Sequence, residues 1–217
     1  MGGLLLDLGK AQIPADILVK AGPLDEVEKT IVRKHVAVGV KLVRTTPGVN
    51  ADMIAMIEGH HERHDGSGYP NGLSGADIPV FGRIAGLIDT FDAMTTKRPY
   101  EPAKSAYDAV RELNGLAGKT FQRELVEQFV QALGMFPTGS LVELNTGEVA
   151  IVIEQNRVRR MRPKLMLLLN NNKLPVAAHT TIDLRKLPAA AGDSGARWIT
   201  SGLDPGAYGL DPKDFFG

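Results

Sequence analysis

The stretch Glu58-Gly59-His60-His61-Glu62-Arg63-His64-Asp65-Gly66-Ser67-Gly68-Tyr69-Pro70 decides how the rest of the chain is read. Three of the chain's five histidines and three carboxylates fall between Glu58 and Asp65, and a Gly-Ser-Gly-Tyr-Pro loop follows at once. Histidine is the commonest side-chain metal ligand, and neutral imidazole beside carboxylates suits Fe, Mn, Zn or Ni. A solvated helix end would rarely hold three histidines, so a metal site is the preferred reading. Asp52 is placed to cap a helix from Met53 to about His64, with Met53, Ile57, His60/His61 and His64 on neighbouring positions of one face. Adjacent histidines diverge by about 100° on an ideal helix. His60 and His61 therefore reach one ion only from opposite flanks, or where the helix ends. The glycines let the loop backbone approach a ligand closely, and Tyr69 offers a ring to stack on a base.

On the N-terminal side, residues 2–8 read as a short apolar helix ending in Asp7-Leu8-Gly9-Lys10. An acidic residue so soon after an apolar start suggests that an upstream helix is missing from this chain. Asp25 with Glu28 three residues on, and Leu24 before it, is a capping-box pattern. It opens a helix predicted to run to about Val43, with Val27, Ile31, Val38 and Leu42 as its buried stripe and His35 one turn beyond Ile31. A lone histidine there is normally a satisfied core residue, but beside a histidine cluster it reads as a ligand.

On the C-terminal side, Pro79 opens a helix to Thr95 whose predicted core stripe is Ile84, Leu87, Ile88, Phe91 and Met94. Asp89 lies beside that stripe, where an unpaired carboxylate is costly and a metal or cation explains it. Asp92 is a candidate hydrogen-bond acceptor for a ligating histidine. Arg98 supplies a guanidinium suited to bidentate phosphate contact. Ser105 caps a further helix, and Phe121, Leu125, Phe129 and Leu133 mark the next at four-residue spacing. After Pro137 the period changes. Leu141–Leu144, the turn Asn145-Thr146-Gly147 and Val149–Ile153 predict a β-hairpin; Pro163–Leu169 and Thr181–Leu184 predict two more strands. Arg157, Arg159, Arg160 and Lys164 read as a solvated strand face rather than an anion site. From Arg185 onward, Ala, Gly, Pro and Asp predict an extended tail.

The 217 residues carry no net charge and no cysteine, with 43% hydrophobic and 23% charged residues. A neutral chain gives no global reason to expect DNA or an anionic membrane as partner. Without cysteine there are no disulfides, no thiolate catalysis and no Cys-type zinc site. The longest apolar runs, such as Leu165–Leu169, are too short to span a bilayer, and the start lacks the pattern of a signal peptide. A cytoplasmic chain is expected.

Taken together the motifs resemble the HD-GYP family, a branch of the HD metal-dependent phosphohydrolases acting on cyclic di-GMP. The matching stretches are Leu4–Pro14, Arg33-Lys34-His35, His60–Pro70, Ile88–Thr95 and Arg98-Pro99-Tyr100, in order across about 2–135. The resemblance implies a mainly α fold: an HD-domain-like helical bundle over 1–136, then a small hairpin- or barrel-like β-module over 137–184 and the tail over 185–217. It implies a divalent, binuclear metal centre (Fe, Mn, Zn or Ni) with Asp7 bridging, His35, His60 and His61 completing one site and Asp89 in the other. Lys10 would contact a substrate phosphate or bridging water, Arg98 and Lys104 would serve the phosphates, and Gly68-Tyr69-Pro70 would line the nucleotide groove or a partner surface. Cyclic di-GMP is the implied substrate, opened to pGpG or cut on to GMP, and diguanylate cyclase domains are a candidate partner of the Gly-Tyr-Pro loop. Two positions depart from the family. Leu6-Asp7 stands where the family has His-Asp, and Glu101 follows Arg-Pro-Tyr where a basic residue is common. A phosphodiesterase with a weakened first metal site and a degenerate, non-catalytic binder are the two readings that follow.

Overall fold

The computed structural model describes residues 2–98, 102–188 and 192–215. They form two compact units, the first made of residues 1–102 and 115–127, the second of 103–114 and 128–217. The chain is mainly helical, followed by a small antiparallel sheet, as expected. Pro99, Tyr100 and Glu101, each singled out in the sequence, lie outside the described residues.

The first unit opens with two 3-10 segments, Gly2–Leu5 and Leu8–Gln12, and the single turn α1 (Ala15–Leu18). The capping box at Asp25 forms as expected: its carboxylate accepts from the N–H groups of Val27 and Glu28, while Glu28 accepts from the Asp25 N–H. The helix it opens does not run through to Val43. It ends as α2 (Glu26–Arg33) and restarts as α3 (His35–Val43). The reason lies in His35, whose Nδ1–H donates to the Val32 carbonyl at 2.7 Å. The side chain takes an acceptor that an unbroken helix would give to a backbone N–H. The expected stripe is displaced with it. Val27 is 69% exposed, whereas Val36, Val40 and Val43 face the core.

Asn50, rather than Asp52, caps α4 (Ala51–Gly59) by accepting from the Met53 N–H at 2.9 Å. The helix stops at Gly59, five residues short of His64. Pro79 starts α5 (Val80–Thr95) where the sequence placed it. Its buried face is built from small residues, Gly82, Ala85 and Gly86, with Leu87, while Ile88 is exposed. Gly59 and Gly82 explain the difference. A Cβ on either glycine would come within 3.0 Å of the other's Cα, so α4 and α5 touch through bare backbone there. Leu5, Leu6, Val49 and Ile54 pack against a cluster of Val40, Val43 and Ile57.

Two helices follow, α6 (Ala106–Gly115) and α7 (Arg123–Leu133). In the second unit, strands β1 (Leu141–Leu144), β2 (Val149–Glu154), β3 (Lys164–Leu169), β4 (Thr181–Asp183) and β5 (Ile199–Leu203) form one antiparallel sheet in the order β4-β3-β2-β1-β5. Gly147, at φ 81°, closes the β1–β2 turn where a side chain would be strained. The segment expected as an extended tail thus supplies a strand. Ile199 pairs with Leu144 and Leu203 with Leu141, satisfying the free edge of β1. Residues 103–114 are tied to this unit. The Ser105 N–H donates to Asp204 at 2.8 Å, and the rings of Tyr107 and Phe136 stack with centroids 4.8 Å apart.

Candidate metal centre

Asp7, His35, His60 and His61 converge, each offering one ligand atom within 4.8 Å of the others. They come from three places in the chain: the turn before the 3-10 segment Leu8–Gln12, the first residue of α3, and the two residues just past α4. The end of α4 at Gly59 resolves the divergence of adjacent histidines, because the chain leaves helical geometry at the pair. The His60 and His61 ring centroids are 4.0 Å apart.

The hydrogen bonds of two rings fix what they present. His35 Nδ1 and His60 Nδ1 each lie 2.7 Å from a carbonyl oxygen, of Val32 and Ile57 respectively. Carbonyls only accept, so both rings carry their proton on Nδ1 and leave Nε2 as a bare lone pair. The two Nε2 atoms face one another at 3.4 Å, and Asp7 Oδ1 stands 3.5 Å and 3.9 Å from them. Three acceptors thus converge with no hydrogen between them, an arrangement a cation at their focus makes favourable. The donor set of three imidazoles and one carboxylate fits a divalent ion of the Fe, Mn, Zn or Ni kind. The acceptors that orient the rings are backbone carbonyls, not Asp92.

Burial pushes the His35, His60 and His61 imidazoles toward their neutral, ligating form, His61 to about 2. Burial also raises the Asp89 carboxyl, against the pull of His60, Lys10 and Arg98, while Asp7 raises it further. Asp89, Lys10 and Arg98 are thereby electrostatic neighbours. Asp89 nevertheless stands apart from the four converging ligand atoms. Lys10 Nζ pairs with Asp7 Oδ2 at 2.6 Å. Lys104 belongs to the second unit, where its ammonium pairs with Glu112 at 2.6 Å. His64 joins no ligand set; its backbone bonds to Thr120 and Gly75, and its Nδ1 is buried beside Arg83.

The Gly68-Tyr69-Pro70 loop is drawn onto the centre. Tyr69 N–H donates to the His61 carbonyl at 3.1 Å, and its ring stacks on the His61 imidazole with centroids 4.5 Å apart. The Arg33 guanidinium lies 5.0 Å from the same ring. Burial raises the Tyr69 phenol to about 12, so it stays protonated at neutral pH.

Two kinds of residue escaped the sequence reading. Glu62 is 3% exposed, and its two oxygens accept from the N–H groups of Asn71 and Leu73 at 2.7 and 2.9 Å, pinning the loop's exit. Arg63 donates to the carbonyls of His60 and Glu62 from beneath. The other kind is glycine as a backbone support, a role not read even for Gly68, which the sequence assigned to the groove. A Cβ on Gly9 would fall 1.9 Å from the His35 carbonyl oxygen, one on Gly86 2.6 Å from that of His60, and one on Gly68 2.5 Å from that of His61. Each of the three converging histidines therefore has its main chain seated on a glycine. The signal for Glu62 was its place between His61 and the loop; the glycine contacts are long-range and leave no local trace.

The HD domain family model matches residues 1–125, more than half of the chain. The chain belongs to the HD domain family. A second family model, a KOW domain associated with HD domain, matches residues 141–190, across β1 to β4 of this HD-family chain. A cyclic di-GMP phosphodiesterase of Pseudomonas aeruginosa is 34% identical over 177 residues, covering 81% of this chain and 42% of that protein. A cyclic di-GMP phosphodiesterase of Thermotoga maritima is 41% identical over 128 residues, covering 58% of this chain and 35% of that one. A 3'3'-cGAMP-specific phosphodiesterase of Vibrio cholerae is 41% identical over 128 residues, covering 58% and 24%. The chain thus spans less than half the length of these relatives, all of which agree with the HD-GYP resemblance. Among the described residues no helix is long and apolar enough to cross a membrane.

Proposed function

We propose that this chain is a metal-dependent phosphodiesterase of the cytoplasm that opens cyclic di-GMP to pGpG and on to GMP. The observation that carries the reading is the convergence of Asp7 Oδ1 with the Nε2 atoms of His35 and His60, lone pairs inward, in a chain whose relatives are named for this reaction. A divalent ion held there supplies an acidified water and neutralises charge on the phosphoryl oxygens. The side chains do the rest. The carbonyls of Val32 and Ile57 hold His35 and His60 in the ligating tautomer. Lys10 and Arg98 place two cations near the Asp7–Asp89 pair, where they would orient a phosphodiester. Tyr69, stacked on His61, excludes water from that ring's face.

A binuclear centre belongs to the proposal: Asp7, His35, His60 and His61 would hold one ion, and Asp7 and Asp89 would help to hold the other. Leu6, where the family motif has histidine, packs on the cluster of Val40, Val43 and Ile57 and supplies no ligand, so the first metal site, the one that includes Asp89, would bind its ion more weakly. The same residue favours a second reading: a non-catalytic binder that senses cyclic di-GMP or docks a diguanylate cyclase domain through Gly68-Tyr69-Pro70. The deciding experiment measures metal content per chain and turnover of cyclic di-GMP, with 3'3'-cGAMP alongside, on one sample. Two ions with linear product support the enzyme. One ion or none, with binding but no product, sinks it and leaves the binder.

A further inference from the structure

A cavity of about 440 Å³ lies in the first unit, away from the converging ligand atoms, lined by Val36, Val40, Lys41, Arg44, Glu58 and Pro70, with Ala37, Thr45 and Asn71 at its rim. That volume lies within the range of small-molecule sites. Its apolar lining is Val40, 8% exposed above the fully buried Val36, and the exposed Pro70. Lys41 in the last turn of α3 and Arg44 just past its end have no acidic partner among the described residues, and neither has Glu58 a basic one. A cavity with free cations, a free carboxylate and an apolar lining asks for a ligand with an anion, N–H donors and a flat body between.

We propose that this cavity binds a guanine mononucleotide, its phosphate on Lys41 and Arg44, its ring against Val40 and Pro70, and its N1–H and exocyclic amine donating to the Glu58 carboxylate. Adenine presents an acceptor at N1 and would set that lone pair against the carboxylate, so the site discriminates between the two purines. Two of the three lining segments carry candidate metal ligands, and the third carries the ring that covers one of them. Val36 follows His35, Glu58 is two residues before His60, and Pro70 follows Tyr69, the ring on His61. Asn71 is the residue whose N–H Glu62 holds. A nucleotide here would therefore change metal affinity, and by linkage the metal would change nucleotide affinity by the same factor. That the ligand is the product returning to its enzyme rests on the phosphodiesterase reading; the binding itself does not.

The test is calorimetric titration of GMP, AMP and inorganic phosphate into the metal-loaded chain and four variants. GMP should bind with AMP and phosphate at least tenfold weaker. Lys41→Ala with Arg44→Ala should weaken GMP about tenfold or more, since charge-assisted hydrogen bonds are lost. Ala37→Phe, at an exposed rim position, should block the cavity without touching the core, and Glu58→Gln should erase the preference over AMP. Binding of GMP must survive Arg98→Ala. No GMP binding, equal binding of phosphate alone, or binding lost in Arg98→Ala but kept in the Lys41/Arg44 variant would overturn the proposal. A chain that hydrolyses cyclic di-GMP yet fails this titration loses only the regulatory site. A chain that binds GMP as described but turns nothing over loses only the phosphodiesterase.

Discussion

At the scale of single residues, the centre is governed by which atoms carry hydrogens. His35 and His60 are held as Nδ1–H tautomers by two carbonyls, and burial keeps them and His61 neutral. A histidine whose folded pKa lies below its ordinary 6.5 favours folding above that value and opposes it below, because the unfolded chain then binds the extra proton. The metal-free chain should accordingly melt at progressively lower temperature as pH falls from 7 toward 5. A flat melting profile across that interval would show these rings to be solvated. Asp7→Asn should cut metal content to near zero while far-UV circular dichroism stays unchanged, since Asp7 is partly exposed and packs nothing of the core. Leu6→His should raise metal per chain and turnover, and should lower the melting temperature, because an imidazole replaces an apolar group on the Val40, Val43 and Ile57 cluster. No gain in metal would show that Leu6 does not stand where a ligand is wanted. Glu62→Ala should cost about 2–4 kcal/mol by leaving the Asn71 and Leu73 N–H groups unpaired, with Glu62→Gln retaining part of the loss.

At the scale of elements, the ligands are placed by where helices stop and by how closely backbones meet. Gly86→Ala and Gly9→Ala each drive a methyl group into the carbonyl of a ligand histidine, and each should destabilise by about 1–3 kcal/mol and weaken metal binding. Gly3→Ala, with nothing within 4 Å of its new Cβ, is the matched control and should change neither. Equal metal affinity in all three would separate the glycines from the centre. Local chemistry was legible in the sequence: the capping box at Asp25, Pro79 before α5, Ser105 before α6, and the Asn145-Thr146-Gly147 turn all act over four residues or fewer. The break before His35 was not, because it depends on a side chain taking a carbonyl from the helix ladder. The stripe of α5 was misjudged for a related reason. Periodicity marks large apolar residues, whereas this helix meets α4 through Gly82 and Gly86. β5 escaped notice because Ile-Thr-Ser-Gly-Leu has no alternating pattern and owes its strand form to the open edge of β1. Of the candidate site, Asp7, His35, His60 and His61 were named from the motif and do converge, while the supports beneath them, Glu62, Arg63 and three glycines, became visible only in three dimensions.

At the scale of the whole molecule, the path of the chain matters more than its composition. Residues 103–114 belong with the sheet, and 115–127 with the segments that carry the candidate metal ligands. The polypeptide therefore changes unit three times rather than once. Ser105, 1% exposed, gives its N–H to Asp204, 99 positions further along, and Tyr107 lies on Phe136, so α6 is anchored by residues distant in the sequence. A gene cut after Phe136 would look like a clean separation of helices from strands, yet it would strip α6 of the surface it was built against. Such a fragment should be captured by chaperones or lost to proteases, and limited digestion of the intact chain should release no stable piece ending there. For anyone wishing to graft the candidate metal centre onto another protein, a cut after Phe136 is therefore the wrong place to start.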